Sequence, residues 1–460
     1  MSGRGKSQVW AEELGARLRE GRVTRREFLR LSAMLGVSAV SSGALAACGP
    51  SAGGESTESV QLVYQDWRTD WFPGMAQEVL QQFHSNNPNI NVFYQPDPEN
   101  LPETMVEEMQ AGTAADVFQG CCTFMPRWAQ LGHVMDLTEL IARDIEQSTI
   151  DDWDVAQYAA FRSTDGVRFA LPKYRGGLAL YYNKDLFDEY GVDYPDYNWD
   201  HEKYAEAMKA LTHDRDGDGE TDLWGSMLDI SWERIQVHIN GWGGHIVDPN
   251  DAKKSLLAEP EAMAAMQWIY DRMWVDRTMA SFRDVQNIET RQAFIQGHVA
   301  MVEDGSWALK DILTNTDFRV GVAPFPAGPV RRATLATTDG FGIYAGTKHP
   351  EAAWELLKFL VSPEYGRAMA KANFLQPARA SIVPDWSGFV QEQFPEKAAE
   401  LDVAAFADGH IKGYSVTTEV FEQMNEAEPL VQEAWNKIFT LNQADLSLME
   451  EVSSKIEASQ

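Results

Sequence analysis

From residue 60 onward the apolar positions alternate with polar ones in short runs, or recur at helical spacing between turn residues. Val60-Gln61-Leu62-Val63-Tyr64 reads as a first strand, with Gln65-Asp66-Trp67 at its end. Met75, Val79, Leu80 and Phe83 share one helical face and predict a helix over 73–84, which Asn86-Asn87-Pro88-Asn89 terminates. A strand over 90–95, a helix over 102–112 and a strand over 115–118 follow. Strand and helix in strict alternation imply a parallel, doubly wound α/β sheet. Such sheets bind ligands beyond the carboxyl ends of their strands, where Gln65-Asp66-Trp67 and Gly120-Cys121-Cys122-Thr123 fall.

A second region begins near Leu171. It opens with a strand over 179–182 and a helix over 201–211, with Tyr204, Met208 and Leu211 inward. Further helices are expected at 260–274, 289–296, 350–361 and 427–441. No internal repeat stands out, and no long low-complexity linker separates the two regions.

The N-terminus follows a different logic. Thr24-Arg25-Arg26-Glu27-Phe28-Leu29-Arg30 has the form of a twin-arginine export motif. The weakly apolar stretch from Leu31 to Ala47 is too short and too rich in Gly and Ser to span a bilayer. Leu45-Ala46-Ala47-Cys48 then has the form of a lipobox, in which Cys48 takes lipid and becomes the mature N-terminus. Residues 49–59 are small and polar, a flexible tether. Lipid on one cysteine anchors a protein to a membrane without crossing it. Residues 1–47 are therefore set aside as a signal peptide.

About 400 residues remain, room for two domains. The full chain carries a formal charge of −30; its first 47 residues hold 8 Lys/Arg against 4 Asp/Glu, which leaves the mature part at about −34. A surface that acidic repels phosphate backbones and argues against nucleic-acid binding, and it favours a soluble monomer. Fifteen Trp, 14 Tyr and 21 Phe supply more rings than a core needs, so several are expected to line a cleft where sugar faces could stack. With Cys48 lipidated, Cys121 and Cys122 are the remaining cysteines. Outside the cytoplasm thiols tend to oxidise, so the pair is either a strained vicinal disulfide or two free thiols.

Asp214, Asp216, Asp218 and Asp222 alternate with Gly217 and Gly219 like the first half of a calcium loop. Its twelfth position, where a bidentate Glu belongs, is Gly225. Asp-Gly pairs also make tight turns, and the turn is the favoured reading; no cofactor is required, with structural calcium at 214–222 as the alternative.

Several separated blocks carry a resemblance. They are Ala115-Asp116-Val117-Phe118, Gln130-Leu131-Gly132, Leu171-Pro172, Leu180-Tyr181-Tyr182-Asn183-Lys184-Asp185-Leu186-Phe187 and Asn198-Trp199-Asp200. They continue through Ala293 to Met301, Gly305-Ser306-Trp307, Asp339-Gly340-Phe341-Gly342, His349 to Trp354 and Pro377-Ala378-Arg379. In this order they resemble the family-1 extracellular solute-binding proteins, receptor subunits of ABC importers, particularly those for sugars. The resemblance covers residues 60–460.

It implies a periplasmic-binding-protein-like fold: two doubly wound α/β lobes joined by a hinge with several chain crossings. Lobe one would take 60–171 and 333–380, and lobe two 172–332 and 381–460. Mapped by block, the ligand residues would be Asp66, Trp67, Cys121, Cys122, Thr123, Tyr174, Arg175, Trp232, Trp242, Asp304, Trp307, Asp339 and Arg379. Trp rings would give apolar platforms, and Asp and Arg charge-assisted hydrogen bonds to hydroxyls. The partners implied are a sugar ligand, the permease subunits and the membrane through the lipid on Cys48. The activity implied is binding and closure without catalysis. The alternatives are a secreted carbohydrate-active hydrolase, a scaffold without a ligand, or a receptor for a polyol or glycerophosphodiester. The hydrolase would need a spaced pair of carboxylates, which the sequence does not offer.

Overall fold

The computed structural model describes residues 59–163 and 165–459. The twin-arginine motif, the lipobox with Cys48 and nearly all of the tether lie outside the described residues. Among the described residues no helix is long and apolar enough to cross a membrane. By packing the chain divides into two units. Unit one holds the described residues up to Gln119, with His133–Met135 and Gly342–Phe359; unit two holds Gly120–Gly132, Asp136–Phe341 and Leu360 onward. The chain thus passes repeatedly from one to the other. The expected lobes follow hinge crossings and these units follow packing, so neither division measures the other.

Unit one is built as the alternation predicts. Strand β1 (Val60–Asp66) pairs in parallel with β2 (Ile90–Pro96), Val60 opposite Ile90 through Asp66 opposite Pro96. It also pairs in parallel with β3 (Val117–Gly120) through Tyr64–Val117 and Gln65–Phe118. Being central, β1 is buried from Leu62 to Asp66. Helix α1 (Phe72–Asn86) carries Pro73 in its first turn, where a missing N–H costs nothing, and buries Met75, Val79, Leu80 and Phe83. Helix α2 (Leu101–Gln110) buries Met105 and Met109. Strand β3 starts two residues later than predicted: at Asp116 the backbone amide donates to the Val63 carbonyl at 2.9 Å, but the Val63 amide donates to the Asp116 carboxylate, at 2.8 Å.

Unit two is organised on a mixed five-stranded sheet. Its strands are β5 (Leu178–Asn183), β6 (Trp224–Met227), β7 (Met279–Ala280), β8 (Val299–Gly305) and β9 (Val320–Pro324), in the order β9-β5-β8-β6-β7. Strand β5 runs antiparallel to both neighbours, while β8, β6 and β7 are mutually parallel. All six residues of β5 are buried, as a central strand covered on both faces requires. Short strand β4 (Leu171–Pro172) pairs antiparallel with the start of β10 (Gly340–Ile343).

Helix α4 (His201–Ala210) begins where Asp200 accepts from the amides of Glu202 and Lys203 at 3.1 and 2.9 Å, an N-cap. The helix expected over 260–274 is α-helical over Pro260–Tyr270 and continues as a π-helical turn, Asp271–Val275. The one expected over 427–441 does the same, α-helical over Met424–Trp435 and π-helical over Asn436–Thr440. Apolar spacing marks both stretches as helical and is blind to a single widened turn.

A buried polar chain crosses this core. His201 Nδ1 meets the Ala327 carbonyl at 2.9 Å, His201 Nε2 meets His238 Nδ1 at 2.8 Å, and His238 Nε2 meets a Glu303 oxygen at 2.9 Å. A carbonyl only accepts, so His201 Nδ1 carries hydrogen. Burial, then the neighbouring His238, hold the His201 pKa well below the usual imidazole range. A neutral His201 must accept at Nε2, so His238 Nδ1 donates. One proton is then left to join His238 Nε2 to the Glu303 carboxylate.

Candidate functional site

The ends of two antiparallel segments of unit two build the site. Residues 172–177 run beside 336–340: Pro172 pairs with Gly340, Gly177 bridges Ala336, and the Lys173 amide donates to the Asp339 carbonyl at 3.0 Å. The Gly176 amide donates to Thr337 Oγ1 at 2.9 Å. Thr338 Oγ1 reaches the Cys122 carbonyl at 3.4 Å, which ties the cysteine turn to the same segment. That turn links β3 to helix α3 (Phe124–Gln130), whose Phe124 amide donates to the Cys121 carbonyl at 2.9 Å. Cys122 takes a left-handed backbone, φ +54°, rare for a residue with a Cβ.

Two ring systems face this backbone. The Trp307 ring lies against Gly176 and Gly305 so closely that a Cβ on either would come within 2.6 and 2.2 Å of it. Glycine at both positions is what lets the ring lie flat, and Trp307 stays half-buried. Tyr174 is buried. Burial, followed by the charges of Asp339 and the two cysteines, raises its hydroxyl well above the usual range, so it is a neutral donor.

The charge balance is acidic. For Cys121 the contact with Cys122 lowers the thiol pKa, but burial with Asp339 and Glu233 outweighs it and leaves the thiol raised; Lys173 acts in the opposite direction. The Cys122 thiol is pushed up by its contact with Cys121, by burial and by the same two carboxylates. Glu233 sits in the first turn of α5 (Trp232–Gly241), and burial raises its own carboxyl. Cys121, Cys122, Tyr174, Lys173, Asp339 and Glu233 thus form one electrostatic neighbourhood of two carboxylates, one ammonium and three neutral donors, with the Arg234 guanidinium beside Glu233.

Of the residues mapped from the resemblance, the structure brings Cys121, Cys122, Tyr174 and Asp339 together, with Trp307 beside Gly176. Thr123 precedes α3 without capping it through its side chain. Asp66 and Trp67 belong to unit one. The Asp66 carboxylate accepts from the Tyr64 hydroxyl and from the Trp67 amide, the latter at 2.7 Å, and the half-buried Trp67 ring packs on Phe72 at 5.5 Å.

The remaining five are turned to packing. The Arg175 side chain is 1% exposed, pairs with Asp154 at 2.8 Å and donates to the Phe406 carbonyl and Ser415 Oγ at 2.8 and 2.6 Å. These partners draw Arg175 into the interior, while Tyr174 lies near the cysteines and Asp339. Trp232 is buried against Phe421 and Trp435, its Nε1 donating to the Glu419 carbonyl at 3.0 Å. Half-buried Trp242 packs on His201 and Trp268. Asp304 is held by Arg234 at 3.0 Å and Arg291 at 2.7 Å. Arg379 donates to the Val361 carbonyl at 3.1 Å and lies over the Trp153 ring.

Sequence reasoning passed over Glu233 and Lys173. Glu233 had a signal in its position, one residue into a helix beyond the end of β6. The buried Lys173 had none, because its value comes from a strand pairing distant in sequence.

A cavity of about 750 Å³ opens at the carboxyl ends of β6 and β8, lined by Asp229, Arg234, Arg291 and Asp304 among others. Both guanidinium groups there already pair with carboxylates, Arg234 with Asp229 at 2.9 Å as well as with Asp304. In the acidic loop, Asp214, Asp216 and Asp218 can bring one oxygen each within 4.8 Å of one another. Asp214 accepts from the Gly217 and Gly219 amides at 2.7 and 2.8 Å, and Asp222 faces the Arg215 amide. These bonds are the ones a turn needs. The twelfth position, Gly225, is fixed for another reason: a Cβ there would meet the Met208 carbonyl at 2.2 Å.

Comparison with known proteins places this architecture. Residues 66–367 match the family described as bacterial extracellular solute-binding protein. A binding protein of Brucella abortus (strain 2308) is 28% identical over 313 residues, covering 65% of this chain and 70% of its own. The maltooligosaccharide ABC transporter solute-binding lipoprotein of Streptococcus pneumoniae (strain R6) is 23% identical over 424 residues, 88% of each chain. Among solved structures, the ABC substrate-binding protein Lmo0181 of Listeria monocytogenes, in complex with cycloalternan, superposes with a TM-score of 0.74. It is 21% identical, with 87% of this chain and 99% of that one covered. The chain therefore belongs to the bacterial extracellular solute-binding proteins, and it is an extracytoplasmic substrate-binding receptor of an ABC transporter with the periplasmic-binding-protein-like α/β fold that the family resemblance implies.

Proposed function

We propose that this receptor binds a neutral carbohydrate at the Cys121–Tyr174–Asp339–Trp307 site and passes it to a permease without chemical change. The observation that carries the reading is the charge balance. Asp339 and Glu233 share the neighbourhood of the cysteines with one ammonium, Lys173; Arg234 beside Glu233 is itself paired with Asp229 and Asp304, and the guanidinium groups of Arg175 and Arg379 are committed to Asp154 and to carbonyl oxygens. A phosphate or phosphodiester would enter a site whose carboxylates outnumber its cations, at a Coulomb cost that its own charge raises. Sugar hydroxyls instead accept from Tyr174 and Lys173 and donate to Asp339 and Glu233, and the Trp307 ring offers an apolar face to the C–H side of a pyranose. The maltooligosaccharide and cycloalternan named for two similar proteins support the same class.

Titration calorimetry against glucose, maltose, maltotriose, a polyol and a glycerophosphodiester tests the reading. One-to-one binding of a saccharide, recovered unchanged afterwards, is expected. Preference for the phosphodiester would overturn the charge argument, and a hydrolysed saccharide would make the protein an enzyme.

The address belongs to the same proposal. Lipid on Cys48 would hold the receptor at the membrane near its permease, and the twin-arginine motif would send it out already folded. Cys48→Ala should release mature protein from the membrane fraction, and replacing Arg25 and Arg26 by Lys should leave the precursor inside.

A further inference from the structure

We propose that Cys121 and Cys122 are an oxidation site within the ligand site, closing reversibly to a vicinal disulfide whose formation tightens ligand binding. The link to affinity rests on the carbohydrate reading above; formation of the bond does not.

The geometry prepares the bond. The two thiols are free, half-buried, and their sulfurs lie 2.8 Å apart. The left-handed Cys122 backbone turns the second side chain back toward the first. Phe124 and Thr338 hold the two carbonyls of the turn, so little rearrangement separates the thiol and disulfide forms.

The same geometry keeps the bond labile. Neighbouring Cα atoms across a trans peptide are about 3.8 Å apart, short of the ~4.4–6.8 Å that ordinary disulfides span. A bond closed at that span is reduced more readily than a structural disulfide. The oxidant is a small-molecule disulfide. One cysteine sulfur, as thiolate, attacks it and forms a mixed disulfide, releasing one small thiol. The second cysteine sulfur then displaces the other half, releasing a second small thiol. Two electrons pass from the cysteine pair to the oxidant, and the two thiol protons end on the released thiols. Burial and the Asp339 and Glu233 carboxylates raise both thiols, so few are thiolates at neutral pH and exchange is slow.

Closure changes what the ligand meets. As thiols, the pair presents two rotatable S–H groups that must find acceptors when a ligand covers them. As a disulfide it presents a fixed apolar ledge with no hydrogen to satisfy, and no side-chain freedom is lost on binding. The expected gain is about tenfold in affinity, on the scale of one hydrogen bond.

The test uses the mature protein equilibrated for long periods in glutathione buffers from reducing to oxidising. Alkylation and mass spectrometry then count free thiols, and calorimetry measures affinity for maltotriose and the other saccharides. Reversible loss of both thiols, with about tenfold tighter binding in the oxidised form, is the expected result. Two free thiols at equilibrium in the oxidising buffer overturn the disulfide. A closed pair with affinity unchanged within about threefold, less than one hydrogen bond, overturns the link to binding. Cys122→Ser cannot close the bond, so its affinity must not respond to the oxidant; a response there would trace the effect elsewhere and also overturn the link. If no saccharide binds in either state, the carbohydrate reading fails and the affinity link falls with it, while alkylation still decides the bond.

Discussion

Replacing Arg175 by Met separates an interior anchor from a ligand contact. The Arg175 and Asp154 side chains are 1% and 3% exposed and meet at 2.8 Å, and the guanidinium also satisfies the Phe406 carbonyl and Ser415 Oγ. Met fills much of the volume but leaves a buried carboxylate without its main partner, a loss of about 3–5 kcal/mol. The two stranded acceptors would add about 1 kcal/mol each if independent. They share one site, so the contributions overlap, and His410 remains 3.4 Å from Asp154 as partial compensation. About 4 kcal/mol is expected at pH 7, a large share of the ~5–15 kcal/mol that holds a domain together.

The pH dependence fixes the cause. Burial by itself pushes the Asp154 carboxyl up; the hydrogen bond and charge from His410 and Arg175 outweigh it and hold the pKa well below the usual carboxylate range. A depressed carboxyl contributes stability above its unfolded pKa, about 4, and loses it as pH falls through the folded value. In R175M the Arg175 share of the depression is lost and only His410 remains to oppose burial, so the protonated form is favoured more than in the wild type. The difference between variant and wild type should therefore narrow from pH 7 toward pH 4. Urea unfolding across that range measures it. A loss below about 1 kcal/mol, or one independent of pH, would refute the anchor. A folded R175M that keeps the wild-type binding stoichiometry would confirm that Arg175 is remote from the ligand.

Trp232→Phe should cost about 1 kcal/mol through its lost hydrogen bond to the Glu419 carbonyl and leave saccharide affinity unchanged, whereas Trp307→Ala should weaken binding by tenfold or more on calorimetry. Glu303→Gln, which can still donate to a neutral His238, should cost far less in urea unfolding than Glu303→Met, which leaves the buried His238 nitrogen unpaired. The lowered His201 pKa means that the unfolded chain binds a proton the folded chain refuses, so stability should fall as pH drops below about 6.5, and His201→Gln should flatten that limb of a thermal-melt series. Adding a calcium chelator should leave the melting temperature unchanged, because the Asp214 carboxylate already caps the Gly217 and Gly219 amides; a clear drop would make the loop a metal site.

Strands and helices were legible because they rest on local periodicity. Val60–Asp66, Phe72–Asn86 and Leu178–Asn183 fall within a few residues of their predicted bounds. What periodicity could not see were the two π-helical turns, where the same apolar spacing runs through a widened coil. Blocks shared with the family pointed to the segments that carry the candidate site. They did not say which way each side chain turns, and Arg175, Trp232, Asp304 and Arg379 make the packing and ion-pair contacts described above. Trp232 and Glu233 are adjacent in the first turn of a helix; the ring is buried in the core, while the Glu233 charge acts on the cysteines.

Tyr174 and Arg175 divide in the same way on an extended segment. The buried pair with Asp154 takes Arg175 away, so of these two neighbours Tyr174 is the one left near the cysteines and Asp339. Arg175 in the site would have given the cleft a second cation and made an anionic ligand its natural occupant. With Arg175 withdrawn to Asp154, the site keeps two carboxylates against Lys173. On the proposed carbohydrate reading, the stability of R175M and the expected rejection of phosphodiesters are thus two tests of the same structural fact, the withdrawal of Arg175 to Asp154.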